Sequence, residues 1–193
     1  MSRDDEIKWD QQHAQSHVAE QPASFLRHMI EADAWPLPRG RALDVACGKG
    51  RNALYLAELG FDVVAMDISS VALAEGRKRA ESKQLRVDWR QTDLENVRLD
   101  PAAFDLAVNF NYLQRSLIAQ LKASVKIGGH VICETYLIDQ KEIGHPKNPA
   151  YLLGQNELLE SFSDFRVLYY REGKFADADT ASYRAGILAQ RLR

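Results

Sequence analysis

The chain is 193 residues long, 46% hydrophobic and 27% charged, with 25 Lys and Arg against 27 Asp and Glu and a formal net charge of −2 at pH 7. This length suits one domain, and the charge balance argues against a nucleic-acid binder that relies on a broad basic face. No run approaches 18 apolar residues, the acidic start is untypical of a secretory signal, and two cysteines are too few for a disulfide framework. We therefore expect a cytoplasmic protein that binds neither membranes nor nucleic acid.

Residues 1–40 predict a helical cap. A weakly periodic polar helix is expected over Ile7 to Val18, where His13 and His17 share one face. Since no acidic third ligand accompanies these two histidines, we expect a solvated face and no metal. A second helix is expected to start at Pro22 and reach Glu31, followed by a Pro-rich connector that cannot be helical.

From residue 41 onward, strands and helices alternate. Strands are predicted over 42–47, 62–68, 85–91, 104–110 and 130–136, with helices over 52–59, 70–83 and 112–125 between them. This alternation indicates βαβ units, hence a doubly wound, mostly parallel α/β sheet with helices on both faces. A long polar loop (139–149), a helix (156–162) and two runs (165–170 and 181–190) follow, and these runs are typical of a hairpin. We predict one domain over 1–193 whose seven-stranded sheet ends in an antiparallel C-terminal edge hairpin.

A glycine turn follows the first predicted strand. Residues 48–53 fit the pattern G-x-G-x-x-G/A, and Asp67 follows Gly48 by 19 residues at the end of the second strand. A carboxylate at that position suits the two hydroxyls of a ribose. The spacing therefore predicts a site for an adenosine-type cofactor.

Charge helps to decide which cofactor this site accepts. Asp44 stands four residues before Gly48, where its carboxylate would repel a pyrophosphate but attract the ammonium and sulfonium of S-adenosylmethionine. Lys49 and Arg51 add positive charge nearby, and they point to solvent or hold an anionic part of the cofactor or acceptor. Thr92, Asp93 and Leu94, after the third strand, offer an acceptor for an adenine amino group and an apolar wall for its ring.

Residues 43–50, with Asp67 and Asp93-Leu94, resemble the cofactor half of class I S-adenosylmethionine-dependent methyltransferases. The whole chain is most similar to the small bacterial branch of tellurite-resistance-like and thiol methyltransferases. The resemblance implies a Rossmann-like fold in which 41–136 bind the cofactor, with Asp44 and the turn at the methionine moiety, Asp67 at the ribose and Asp93 at the adenine. Ala46 replaces a frequent glycine, so we expect its backbone to avoid positive φ. The expected cofactor site comprises Asp44, Ala46, Cys47, Gly48, Gly50, Asn52, Asp67, Ile68, Thr92, Asp93, Leu94 and Asn109.

The acceptor side of the site is less clearly encoded. Methyl transfer from a sulfonium is an in-line displacement that depends on alignment, so no catalytic residue is obligatory. Residues 140–153, within the 137–193 segment, are expected to cover the pocket of a small-molecule acceptor. Candidates to line this pocket are Tyr112, Arg115, Glu134, Tyr136 and His145, with Trp9 and His13 from the cap.

Two alternatives to a methyltransferase stay open. The G-x-G-x-x-A match also suits an NAD(P)-dependent oxidoreductase, and a protein that binds an adenosyl cofactor without catalysis would carry the same motifs. A monomer or a small homo-oligomer is expected.

Overall fold

The computed structural model describes residues 3–17, 20–32, 34–35, 37–177 and 180–193. The strands are β1 (Arg41–Val45), β2 (Asp62–Asp67), β3 (Val87–Gln91), β4 (Phe104–Phe110), β5 (Val125–Tyr136), β6 (Arg166–Asp177) and β7 (Thr180–Gln190). The helices are α1 (Arg3–Gln15), α2 (Ser24–Glu31), α3 (Arg51–Glu58), α4 (Ser70–Ser82), α5 (Arg115–Ser124), α6 (Gln140–Ile143) and α7 (Glu157–Ser161), with a 3₁₀ helix over Pro149–Tyr151. No helix in these described ranges is long and apolar enough to cross a membrane.

All seven strands form one sheet in the order β3-β2-β1-β4-β5-β7-β6. The pairs from β3 to β5 are parallel, whereas β7 runs antiparallel to both β5 and β6. This confirms the predicted mostly parallel sheet with an antiparallel C-terminal edge. The strand order reverses between β1 and β4, which is where an open sheet of this kind leaves a crevice at its carboxyl ends.

Two hydrophobic cores hold helices against the two faces of the sheet. The first face packs against α5 and α7 through Leu117, Leu121 and Phe162. The second packs against α2, α3 and α4, with Phe25 and Leu56 fully buried. Burial of such side chains drives the packing because each removes apolar surface from water.

Helix α1 is attached differently from the others. None of its described side chains is buried, so polar contacts hold it in place. The Asp10 carboxylate accepts a hydrogen bond from the Ser69 hydroxyl at 2.6 Å and from the Val71 amide at 3.2 Å, at the start of α4. The Gln91 amide donates to the Glu6 carboxylate at 2.8 Å, beside the end of β3. Helix α1 therefore lies across the carboxyl ends of β2 and β3.

The boundaries of some predicted elements are wrong. The predicted helix over 112–125 begins only at Arg115 and ends at Ser124, and β5 begins at Val125 because that residue already pairs with Phe104. The predicted irregular loop contains α6 and a 3₁₀ helix, and β6 continues to Asp177. Helix α2 starts at Ser24 and not at Pro22, while Val18 and Pro36, in the predicted first helix and connector, lie outside the described residues.

Candidate cofactor site

A cleft of about 340 Å³ lies at the carboxyl ends of β1, β2 and β4, beneath α1. The sequence predicted ten of the residues that line it: Trp9, His13, Ala46, Cys47, Gly48, Asn52, Asp67, Ile68, Leu94 and Tyr112. The position agrees with the strand reversal, and the volume lies within the range of small-molecule sites, about 300–1,000 Å³. The structure thus brings the glycine turn, the end of β2 and the cap helix into one wall.

The glycine turn between β1 and α3 is built by backbone geometry. Gly48 and Gly50 have φ values of +54° and +78°, and the Gly50 amide donates to the Cys47 carbonyl at 3.0 Å. A Cβ atom on Gly50 would lie 2.2 Å from the Trp89 ring, so only glycine fits this approach.

Ala46 contradicts the expectation drawn from its side chain. Its φ is +53°, in the left-handed region that its methyl group was expected to avoid. The conformation costs about 1–2 kcal/mol. The next residue holds it in place, because the Cys47 amide donates to the Met66 carbonyl on β2 at 3.0 Å.

Asp67, the last residue of β2, is buried and joins two parts of the site. Its Oδ2 accepts a hydrogen bond from the Gly48 amide at 2.7 Å, and its Oδ1 accepts one from the Ser69 amide at 2.9 Å. Each carboxylate oxygen can accept a second hydrogen bond. Asp67 therefore lines the cleft with acceptor capacity left for a ligand such as a ribose diol.

Asp44 lies behind the turn, 1% exposed. Neither of its carboxylate oxygens accepts a hydrogen bond of normal geometry from a described group, although the Ala53 amide lies close enough to act on the carboxyl group. Burial and the nearby Asp67 charge raise the pKa of Asp44 to about 8, while Arg51 and the Ala53 amide act in the opposite direction. On the adjacent strand the buried Oδ1 of Asn109 likewise lacks a donor among the described residues. Buried polar atoms without partners are rare, so both are candidate ligand contacts, although neither residue is among the described residues that line the cleft.

At the end of β3, Leu94 and Asp93 have different surroundings. Leu94 is buried and lines the cleft. The Asp93 carboxylate accepts hydrogen bonds from the Glu95 amide at 2.9 Å and the Asn96 side chain at 2.7 Å, so it stabilises the following turn. The cleft wall, as far as the structure describes it, contains neither Thr92 nor Asp93.

Asn52 has a structural role in addition to lining the cleft. Its side-chain oxygen accepts a hydrogen bond from the Ala23 amide at 2.8 Å and so fixes the start of α2 against α3.

Of the acceptor-side candidates, Tyr112 lines the cleft. Arg115 pairs with Glu157 at 2.6 Å and donates to the Leu152 carbonyl at 3.0 Å, so it holds the 140–153 segment against α5 and α7. The Tyr136 hydroxyl accepts from Arg184 at 2.8 Å. His145 contacts Gln140 through its carbonyl and is not among the described lining residues.

The structure adds cleft residues that the sequence analysis missed or interpreted differently. His13 and His17 face the cleft, so the prediction of a solvated face is wrong, and Ser16 joins them. The i, i+3, i+4 spacing of these three residues was a usable signal, although α1 ends at Gln15 and Ser16 and His17 follow it. Lys49 and Arg51, whose direction the sequence left open, also line the cleft, as do Phe110 and Asn111, which lie between the predicted residues Asn109 and Tyr112. The position of Asn111 in the cleft wall depends on its positive φ of +58°, which no sequence pattern predicted.

Comparison of the chain with known proteins shows which proteins it is similar to. A methyltransferase domain model matches residues 42–129. The chain is 27% identical over 139 residues to the "Probable S-adenosyl-L-methionine-dependent methyltransferase TehB" of Haemophilus influenzae, covering 68% of this chain and 48% of that protein. It is 28% identical over 135 residues to a ubiquinone biosynthesis O-methyltransferase of Acinetobacter baumannii, covering 66% of this chain and 57% of the relative. The chain thus spans about half the length of these curated relatives.

The fold is shared with a solved structure. The crystal structure of TehB from Haemophilus influenzae superposes with a TM-score of 0.72 and 22% identity, covering 96% of this chain and 66% of that one. The domain match over residues 42–129 and the relatives make this chain similar to S-adenosylmethionine-dependent methyltransferases, and the likeness to the TehB structure shows that the fold is the same.

Proposed function

We propose that this protein transfers the methyl group of S-adenosylmethionine to a small-molecule acceptor. The observation that carries the proposal is the Asp44 carboxyl group, which is buried at the glycine turn without a hydrogen bond of normal geometry from the described residues. A buried carboxylate is stable as an ion only beside a positive charge or several donors. The ammonium of the cofactor's methionine moiety supplies both.

The same carboxyl group argues against the oxidoreductase alternative. A nicotinamide dinucleotide would place its anionic pyrophosphate at the start of α3, close to Asp44 and Asp67. The Asp67 carboxylate would repel it, and a pyrophosphate would also keep Asp44 protonated, whereas an ammonium favours the ionised form of Asp44. A zwitterionic ligand with an additional sulfonium charge suits this wall better.

When bound, S-adenosylmethionine supplies an electrophilic methyl group on a sulfonium, and the nucleophile's electron pair forms a bond to that carbon as the carbon–sulfur bond breaks and leaves a thioether. The residues of this chain would position the partners: Asp44, behind the glycine turn, would hold the ammonium and Asp67 the ribose, while Leu94 and Phe110 would form apolar walls. Helix α1 lies over the cleft and excludes water, which favours alignment of the reacting atoms. This cover also favours a small acceptor over a macromolecule.

Calorimetry with S-adenosylmethionine, S-adenosylhomocysteine, NAD and NADP tests the proposal. We expect only the first two to bind, and Asp44→Asn to weaken both of them because the ammonium loses its counter-charge. Asp88→Asn, an exposed carboxylate paired with Arg90, is the matched control and is expected to bind like the wild type. Tighter NAD binding by Asp44→Asn would contradict the proposal. A methyl-transfer assay then separates an enzyme from a protein that only binds the cofactor.

A further inference from the structure

Helix α1 runs from the end of β3 to the glycine turn, across the opening of the cleft. Near its start, the Glu6 carboxylate accepts a hydrogen bond from the Gln91 side chain at the end of β3, at 2.8 Å. Near its end, the His13 ring lies 3.4 Å from where a Cβ atom on Gly48 would be. These two contacts are about 10 Å apart along the helix, at 1.5 Å per residue. Trp9 lies between them and points into the cleft.

Trp9 brings a large aromatic surface to the β3 end of the cleft. Its half-buried side chain lines the cleft together with Ile68, which follows β2, and the buried Leu94, which follows β3. Its indole ring also contacts two residues of α1: the His13 ring centre lies 6.1 Å away, and the Lys8 ammonium lies 5.6 Å from the indole centre. An indole and two aliphatic side chains therefore form apolar walls around one part of the cleft.

The carboxylate that the sequence assigns to the adenine amino group is engaged in another contact. One oxygen of Asp93 accepts from the Glu95 amide at 2.9 Å and the other from the Asn96 side chain at 2.7 Å, so both oxygens stabilise the turn after β3. The cleft wall, within the described residues, includes Leu94 but not Asp93. The Tyr112 hydroxyl, on the opposite wall, donates to the side chain two residues further on. The β3 end of the cleft thus offers an adenine mainly apolar surface.

A purine can be held by its faces without a hydrogen bond to its edge. Stacking on an aromatic side chain strengthens the binding of a base by about 5- to 150-fold, and it tolerates changes at the edge because every base has a π-face. We propose, on the basis of the proposed function, that the adenine of the cofactor stacks on the Trp9 indole beside Ile68 and Leu94, and that its amino group makes no hydrogen bond to Asp93. Helix α1 then recognises the cofactor in addition to covering it.

The first test changes the ligand and leaves the protein intact. The probe is the 6-deamino analogue of S-adenosylhomocysteine, in which an unsubstituted purine replaces adenine, and calorimetry compares its dissociation constant with that of S-adenosylhomocysteine. We expect the two constants to agree within about fivefold, because the stacked face is retained. A larger loss would overturn the proposal, since a hydrogen bond from the amino group to a carboxylate contributes about tenfold or more.

Variants of Trp9 test the stacking itself. Trp9→Leu removes the aromatic face and is expected to weaken S-adenosylhomocysteine binding about tenfold, whereas Trp9→Phe keeps such a face and should bind within about threefold of the wild type. Tyr151→Leu is the matched control, because this exposed ring is not among the described residues that line the cleft, and it should bind like the wild type. Unchanged affinity in Trp9→Leu, or equal losses in the two Trp9 variants, would overturn the proposal. Since no described side chain of α1 is buried, we expect both variants to fold, which thermal denaturation checks.

Tryptophan fluorescence separates stacking from a purely structural role of Trp9. Adenine stacked on the indole should quench the emission of the wild type saturably as S-adenosylhomocysteine is added. The quenching should disappear in Trp9→Leu, which keeps Trp35 and Trp89. No quenching in the wild type, or quenching of equal amplitude in both proteins, would overturn the proposal.

Calorimetry of the wild type keeps this proposal separate from the proposed function. Failure of the wild type to bind S-adenosylhomocysteine would overturn the proposed function. Normal binding of S-adenosylhomocysteine without a contribution from Trp9, or with strong dependence on the amino group, would overturn only the proposal about adenine.

Discussion

Binding of the cofactor is expected to release a proton from Asp44. In the free protein the buried Asp44 has a pKa of about 8, so at pH 7 its carboxyl group is about 90% protonated. The incoming ammonium favours the ionised form, which lowers the pKa of Asp44 in the complex. Binding of S-adenosylhomocysteine at pH 7 should therefore release about 0.9 proton, and at pH 8 about 0.5 proton.

The same linkage sets the pH dependence of the affinity. Ionising Asp44 before the ligand's ammonium binds costs about 2.7 kcal/mol at pH 6 and about 0.4 kcal/mol at pH 8. The difference of about 2.3 kcal/mol corresponds to an affinity for S-adenosylhomocysteine that is about 50-fold higher at pH 8. The stability of the free protein has the opposite trend. A carboxyl group whose pKa is raised from 3.8 to about 8 by folding contributes stability that is lost as the pH rises through this window.

Calorimetry in buffers of different ionisation enthalpy measures the released protons directly. The observed enthalpy plotted against the buffer ionisation enthalpy should have a slope of about 0.9 at pH 7 for the wild type and for Asp88→Asn. Asp44→Asn should show a slope near zero and, in thermal denaturation at pH 8, a higher melting temperature without ligand. A slope near zero for the wild type at pH 7, or an unchanged slope in Asp44→Asn, would refute this assignment of the ammonium to Asp44.

Further predictions concern the ribose contact, the glycine turn and the 140–153 segment. Asp67→Asn should weaken S-adenosylhomocysteine binding by about 1.5–3 kcal/mol in calorimetry, because a charged acceptor of the ribose hydroxyls is lost; an unchanged dissociation constant would contradict this. Gly50→Ala should lower the free energy of unfolding in urea by about 2–5 kcal/mol, since backbone strain at φ +78° adds to a clash with Trp89. Gly60→Ala is the control: Gly60 has a φ of +91° but no atom within 4 Å of the added Cβ, so the loss should be only about 1–2 kcal/mol. Equal losses in the two variants would exclude the Trp89 clash. None of residues 140–153 is among the described residues that line the cleft, so replacing 142–148 by a Gly-Ser linker should leave S-adenosylhomocysteine affinity within about threefold. Loss of methyl transfer in this variant would show that the segment covers the acceptor pocket, and turnover that survives would show that it only connects two elements.

Much of the fold and part of the site follow from the sequence because the signals are local. Strand and helix periods place the seven strands along the chain, and in a parallel sheet a ligand binds at the carboxyl ends of the strands. The glycine turn and Asp67 are recognisable because their chemistry depends on positions within one βαβ unit. Asp44 precedes the turn by a fixed number of residues on the same strand, so its place at the turn is local as well.

Other features depend on contacts between distant segments. The start of β5 at Val125 depends on pairing with Phe104, and the left-handed backbone of Ala46 depends on a hydrogen bond to β2. Helix α1 covers the cleft only because Asp10 reaches Ser69, 59 residues further along the chain. No local pattern encodes such contacts, because each requires the sheet to be assembled first.

The sequence by itself determined the order of strands and helices along the chain and the residues of the glycine turn. Hydrophobic periodicity and backbone restrictions act within short segments, so both can be recognised locally. Only the tertiary structure decided that Asp93 stabilises a turn, that Asp44 accepts no hydrogen bond of normal geometry from the described residues, and that Glu134 meets arginines from two later strands. These outcomes depend on burial and register, which arise when segments far apart in the chain pack together.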